Sequence, residues 1–222
     1  MKAILFIKKD KPTAREVVEY LHTHFRELVV CQGKRGDKFP KDALKGCPDI
    51  LISYLSPWII PDNVLNKTRL WNINFHPGPP RYPGIGCFNF AIYNKEMFYG
   101  VTAHLMNEKV DDGRIIAVKR FALLESESVY SLSIKSYECM LSLFFEVMNF
   151  ILKDNKLPEC SEAWKRKPYT RKELEELCKI DNDMIKQEIE KRIRATLYPN
   201  MPGAYIDMFD FRFEYNPNRK VK

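Results

Sequence analysis

Asn74 and His76 stand one residue apart in the run Asn74-Phe75-His76-Pro77, and two carboxylates follow downstream in Val110-Asp111-Asp112-Gly113. An amide, an imidazole and an acid are the groups that acyl transfer to an amine requires. Attack by an amine puts negative charge on the carbonyl oxygen, which a fixed donor such as the Asn74 side-chain NH2 stabilises. The amine must also lose a proton, and an imidazole accepts one near neutral pH. A carboxylate then holds the imidazole tautomer and balances its charged form, and either Asp111 or Asp112 can supply it. The same Asn-x-His also has a plain structural reading, in which the amide satisfies loop backbone and the ring packs in a polar edge.

Such groups need elements that bring them together. Residues 2–8 form an apolar run read as a buried strand, and residues 13–25 carry apolar side chains at helical spacing. Further strands are expected at 28–31, 49–55 and 72–75, the last leading into a Pro- and Gly-rich turn. Residues two apart on a strand share a face, so Asn74 and His76 project together where the strand ends. In open parallel sheets that carboxyl end is where ligands bind. Beyond the turn, 87–93 reads as a short helix, 100–106 and 114–121 as half-exposed strands, and 128–152 as a long helix. Thr170 with Glu173 signals a capped helix through Cys178, and Met184, Ile185, Ile189 and Ile193 mark another. Residues 204–215 alternate as a hairpin with a turn at Asp210. The fold class is α/β with a mostly parallel twisted sheet, divided as a core at 1–157 and an extension at 158–222 holding two helices and a hairpin.

The chain has 222 residues, 45% hydrophobic and 13% aromatic, which suffices for one sizeable core. Charged residues make up 29% without a block that would mark a disordered tail. The net charge of +7 favours anionic partners, but the cations are scattered, which reads as solubility rather than a nucleic-acid footprint. None of the six cysteines has CxxC spacing or a histidine partner suited to zinc, so no metal is expected. With no leader at the N-terminus and no long apolar span, a cytoplasmic protein without membrane contact is expected.

The stretch from 74 to 113 resembles the folate-dependent formyltransferases, a family that carries N-x-H-P, a Pro- and Gly-rich turn, a G-V-T strand and an L/V-D-x-G loop. Here those are Asn74-Phe75-His76-Pro77, Arg81-Tyr82-Pro83-Gly84, Gly100-Val101-Thr102 and Val110-Asp111-Asp112-Gly113. The likeness is good from about residue 49 to 121 and looser elsewhere. It implies a Rossmann-like formyltransferase core, N10-formyltetrahydrofolate as formyl donor, and Asn74, His76 and Asp111 as the catalytic triad. Asp111 is preferred to Asp112 because it directly follows the apolar residue of the loop. By the same resemblance, Ser56, Trp58, Ile59 and Ile60, with Val110, Asp112 and Gly113, border the pterin pocket.

Within the family, the turn wording and the phrase Ser53-Tyr54-Leu55-Ser56-Pro57-Trp58 resemble the sugar-nucleotide branch. Its members act on dTDP- or GDP-linked amino-dideoxyhexoses, and their products usually enter surface glycans such as the O-antigen of lipopolysaccharide. The glycine-rich phosphate loop of the purine-pathway branch is replaced here by Lys8-Lys9-Asp10-Lys11-Pro12. Lys8 and Lys9 are therefore candidates for a diphosphate. Pro77, Gly78, Arg81, Tyr82, Gly84, Ile85, Gly86, Asn89 and His104 are placed near the amino sugar. The terminal hairpin is expected to make a homodimer contact. The competing readings are another amine acceptor such as glycinamide ribonucleotide, or a non-catalytic relative that binds nucleotide sugars or RNA.

Overall fold

The computed structural model describes residues 1–217. Strand β1 (Lys2–Lys8) is buried from Ala3 through Ile7, which a strand achieves only when both faces of its sheet are covered. Ala3, Leu5 and Ile7 face helix α1 (Ala14–His24) and the long helix α4 (Val129–Asp154). Ile4 and Phe6 face a second cluster with Leu51, Ile60, Val64 and Leu65. Full burial of one such side chain is worth about 1.5–3 kcal/mol, so this strand anchors both layers.

β1 pairs in parallel with β2 (Glu27–Gly33) on one side and β3 (Ile50–Tyr54) on the other. A short helix α2 (Asp62–Leu65) leads to β4 (Trp71–His76), parallel to β3. After helix α3 (Cys87–Tyr93) come β5 (Phe98–Leu105) and β6 (Ile115–Ala122), both joined antiparallel. The six strands run in the order β2-β1-β3-β4-β5-β6. The sheet is thus mostly parallel, as the alternation of strands and helices implies, and its parallel strands end together at one edge.

α4 opens with a reciprocal cap in which Ser128 Oγ accepts from Ser131 N and Ser131 Oγ accepts from Ser128 N, each at 3.0 Å. Such a cap is worth about 1 kcal/mol. The expected Thr170–Glu173 cap also forms and starts α5 (Arg171–Cys178). α6 (Lys186–Thr196) begins after Met184 and Ile185, later than the apolar spacing suggests, because Met184 closes a turn on Asp181 instead. Strands β7 (Tyr205–Met208) and β8 (Phe211–Glu214) make the terminal hairpin. Its turn residues Phe209 and Asp210 have φ of 51° and 64°, the left-handed pair that matches strand twist in a two-residue turn.

The extension lies against the core. Lys165 N donates to Pro80 O, Tyr169 N to Pro83 O and Ile85 N to Tyr169 O, each at 2.9 Å, so residues 165–169 strap the Pro- and Gly-rich turn. Phe90 and Tyr169 stack at 3.7 Å, and Leu177 and Ala195 complete the cluster around Tyr82, Phe90 and Ile92. Among the described residues, no helix is long and apolar enough to cross a membrane.

Candidate active site

Register brings the first two side chains together. β4 and β5 are antiparallel, and Asn74 lies directly opposite His104, so their side chains share a face. The register of β5 with β6 shifts between Ala103 and His104, an irregularity of the kind that re-aims a side chain near a site. Asn74 Nδ2 lies 2.9 Å from His104 Nε2. The loop between β5 and β6 then returns Asp111 to this pair.

Asp111 is the hub. Its Oδ2 lies 3.1 Å from His76 Nδ1 and accepts from Gly84 N at 2.7 Å. Its Oδ1 lies 3.2 Å from His104 Nε2 and 3.4 Å from Asn74 Nδ2. Four nitrogen-bearing groups thus surround a carboxylate that is only 7% exposed. Burial pushes its pKa up, but the His76 charge, the His104 hydrogen bond and charge, and the Gly84 N–H together outweigh burial and hold it well below the usual carboxylate range. The residue also adopts φ 44°, a left-handed conformation that costs a non-glycine residue about 1–2 kcal/mol. The surrounding hydrogen bonds offset that cost, and no rule of spacing announces it.

His76 is 5% exposed. Its Nδ1 faces Asp111, and its Nε2 lies 2.8 Å from the Tyr82 carbonyl oxygen. Gly78 permits this approach: a Cβ there would sit 2.6 Å from His76 Nε2 and 2.8 Å from Tyr82 O. His104 Nδ1 lies 2.8 Å from Leu105 O. Trp164, from the extension, stands nearly perpendicular to both imidazoles, 5.9 Å from His76 and 5.1 Å from His104 between ring centroids.

A cleft of about 470 Å3 opens over this cluster at the carboxyl ends of β1, β3 and β4. Asn74, His76, His104 and Asp111 form part of its lining, with Pro77 beside them. The lining also includes the segment after β3, with Ser56, Trp58, Ile59 and Ile60, and the β5–β6 loop, including Val110. Ser56 Oγ makes 3.0 Å hydrogen bonds with both Trp58 N and Trp58 O, which folds the segment after β3 back on itself. Trp58 donates from Nε1 to Asp37 O at 2.9 Å and packs edge-on to Phe6 and Phe39, so it is wall and core at once. At the β1 end the lining carries Lys8, Lys11 and Arg35. Lys11 is half-buried, and its Nζ donates to Tyr137 OH at 3.0 Å. Burial, then the neighbouring Lys8 charge, lowers its pKa.

Other expected site residues lie elsewhere. Lys9 is exposed beyond the strand end and does not line the cleft. Asp112 lines a neighbouring depression and faces Asn107, and Gly113 is pressed so close to the Leu105 carbonyl that a Cβ would overlap it. Arg81 pairs with Glu96 at 3.0 Å, and the buried Tyr82 donates its hydroxyl to the same carboxylate at 2.6 Å. Tyr82 meets His76 through its carbonyl alone. Gly86, with φ 76°, precedes α3, and a Cβ there would crowd Leu174 and Phe90. Asn89 donates to Ala195 O at 2.8 Å, satisfying a carbonyl that the end of α6 leaves without an intrahelical donor. Ile85 is 40% exposed on the turn. Trp164, Lys11 and Arg35 are the site residues that sequence reasoning missed; the one available hint was a large aromatic ring within the charged run Glu162-Ala163-Trp164-Lys165-Arg166.

Among the described residues no group of three histidine, cysteine, aspartate or glutamate side chains is arranged to hold a metal ion. The arrangement suits proton transfer and charge stabilisation: an anchored acid, two imidazoles and an amide beside an elongated cleft.

Comparison with known proteins agrees in sequence and in fold. Residues 41–148 match the formyl transferase family. The methionyl-tRNA formyltransferase of Ehrlichia ruminantium is 33% identical over 176 residues, covering 77% of this chain and 56% of the relative. The GDP-perosamine N-formyltransferase of Brucella melitensis is 28% identical over 173 residues, covering 77% of this chain and 65% of the relative. The chain therefore spans between half and two thirds of the length of these curated relatives. A sugar N-formyltransferase from a Shewanella species has the same fold, with a TM-score of 0.78 at 20% identity over 100% of this chain and 99% of that one. An N-formyltransferase from Helicobacter canadensis, solved with folinic acid and dTDP-3-aminofucose, superposes with a TM-score of 0.72 at 18% identity over 95% of this chain and 85% of its own. Motif order, domain match and fold converge: residues 41–148 are a formyl transferase domain.

Proposed function

We propose that the protein transfers a formyl group from N10-formyltetrahydrofolate to the amine of a nucleotide-linked amino sugar. The observation that carries this reading is the convergence of Asn74, His76 and His104 on one buried, ionised Asp111 at the floor of a cleft. The cleft lining fits a pterin: it includes apolar Ile59, Ile60 and Val110, and the loop backbone beside them offers hydrogen bonds to a flat heterocycle. Bound there, the folate supplies an activated formyl carbon. Solved neighbours are described with tetrahydrofolic acid, and with folinic acid beside a dTDP-linked amino sugar.

His76 is the general base in this reading. In the neutral tautomer that carries its proton on Nδ1, donated to Asp111, Nε2 has a free lone pair; it leaves the Tyr82 carbonyl for the attacking amine and takes its proton, while Asp111 balances the imidazolium charge that develops. Asn74 keeps one amide hydrogen in the Asp111–His104 cluster and offers the other to the developing oxyanion. Holding both reactants in the cleft supplies much of the acceleration. Lys8, Lys11 and Arg35 fit a diphosphate at the β1 end, which favours a nucleotide-linked acceptor. In this reading residues 1–157 are the catalytic core and 158–222 an extension of it, acting in the cytoplasm to provide a formylated sugar for glycan assembly.

The acceptor test offers dTDP- and GDP-linked amino-dideoxyhexoses, glycinamide ribonucleotide and methionyl-tRNA in parallel with the folate donor. The expected product is the formylated nucleotide sugar; preference for either of the other two acceptors would move the enzyme to another branch of its family.

The hairpin adds a partner to this proposal. Phe209, Phe211 and Phe213 are 85%, 67% and 51% exposed, an apolar surface that a second copy of the chain would cover. Light scattering at micromolar concentration should give the mass of a dimer, and Phe211→Asp should return it to monomer. A wild-type protein that scatters as a monomer would remove the hairpin from the account.

A further inference from the structure

We propose that Trp164 is a positioning residue that holds the two histidines and the Asp111 loop in their working arrangement, linking the extension to the active site. This rests on the function proposed above. Trp164 lies outside every matching motif, in an irregular segment between α4 and α5. Three contacts fix its role. Its indole is nearly perpendicular to His76, at 77°, and to His104, at 83°. Its Nε1 donates to Gly113 O at 2.8 Å. The following residue, Lys165, donates from its backbone N to Pro80 O at 2.9 Å, tying the same segment to the turn that carries Tyr82 and Gly84.

Each contact acts on a different part of the hub. Gly113 is two residues past Asp111 and has no room to move toward Leu105, so the indole N–H fixes the loop from its free side. The ring packs edge-on against both imidazoles, which are buried, and so restrains their turning away from Asp111. Asp111 needs such support because its own backbone is in an unfavourable left-handed conformation. No ion pair or charge is involved: Trp164 is neutral and acts through the rings and the loop it holds. A misplacement of about 1 Å in a reacting group is enough to cost on the order of a hundredfold in rate, so a remote indole can matter.

The test measures kcat, KM, thermal unfolding and imidazole N–H proton resonances for wild type, Trp164→Leu and Trp164→Phe. Trp164→Leu should lower kcat by about tenfold or more while the KM for each substrate moves less than threefold. Trp164→Phe keeps a ring but loses the Gly113 hydrogen bond and should recover part of the loss. In the His76→Asn background, adding Trp164→Leu should cost little more, because the base through which the arrangement acts on kcat is already gone. In the resonances, slowly exchanging downfield N–H protons of His76 and His104 should persist in wild type and Trp164→Phe and vanish in Trp164→Leu. Wild-type kcat in Trp164→Leu, or losses that simply multiply in the double variant, overturns the inference. If wild type itself transfers no formyl group to any acceptor, the proposed function fails, and the N–H resonances alone then decide the positioning role: their persistence in Trp164→Leu would end it. If Trp164→Leu does not fold, Trp164→Phe decides by its kcat, which must fall below wild type.

Discussion

His76→Asn should lower turnover by about a hundredfold or more while leaving the thermal unfolding midpoint within a few degrees of wild type. The ring is the group in the cluster that can take the amine proton with Asp111 paired to its other nitrogen. An asparagine amide keeps a polar group facing Asp111 and Tyr82 but cannot accept a proton at neutral pH. The loss should fall on kcat, because His76 contributes to charge movement rather than to gripping the folate. Near-normal turnover in the variant would remove His76 as the base and leave His104, which also faces Asp111, as its replacement.

Asp111→Asn should be costlier in two ways. A carboxylate at this position accepts from Gly84 N and faces His76, His104 and Asn74 with two acceptor oxygens, whereas an amide turns an NH2 toward part of that ring of nitrogens. Each buried donor left unpaired costs about 1–3 kcal/mol, so a clear fall in stability is expected. Turnover should fall by on the order of a thousandfold, since the imidazole loses the group that sets its tautomer and balances its charge. The pH dependence carries a sign. The carboxyl pKa of Asp111 is depressed on folding, so its stabilising contribution is fully present above the unfolded value of about 3.9 and is lost as pH falls through the lower folded value. Unfolding midpoints of wild type and Asp111→Asn should therefore differ most at neutral pH and converge as the solution is acidified below about pH 4. A gap that stays constant into strong acid would mean that Asp111 is not held as an anion.

The two effects explain which parts of the site the sequence discloses. Asn74 and His76 are legible because the period of a strand is two, and a proline follows at the strand end. His104 is legible as the residue opposite Asn74 once the strands are paired, although the shift in register beside it is not. Asp111 and Asp112 cannot be separated by spacing. Only the left-handed backbone at 111 turns the first toward the histidines, and that conformation depends on hydrogen bonds from distant chain. The resemblance to a known family resolved a choice that local physics leaves open.

Residues whose partners lie far off along the chain are hidden for the same reason. Asn89 was expected near the sugar because the turn faces the triad, yet its amide meets the end of α6, a helix whose place on α3 no local pattern reveals. Of the paired lysines, Lys8 continues the β1 alternation into the cleft and Lys9 does not. Lys11 and Arg35 reach the same end from two separate loops, so their approach to Lys8 exists only in the folded chain. Trp164 is the extreme case: an irregular strap with no periodicity delivers it to both imidazoles. The framework of the sheet, by contrast, was readable almost throughout, because buried strands such as β1 and β3 are continuous apolar runs with sharp ends.

In the proposed function the cluster around Asp111 moves a formyl group between two bound molecules. The direct measurement supplies donor folate labelled with carbon-13 in the formyl group, together with dTDP- and GDP-linked amino sugars, and follows the label by mass. The label should appear on an amino sugar at a rate abolished by His76→Asn, with little free formate. Label that goes to formate at the same rate with and without an acceptor, or that never leaves the folate, would contradict the proposed function.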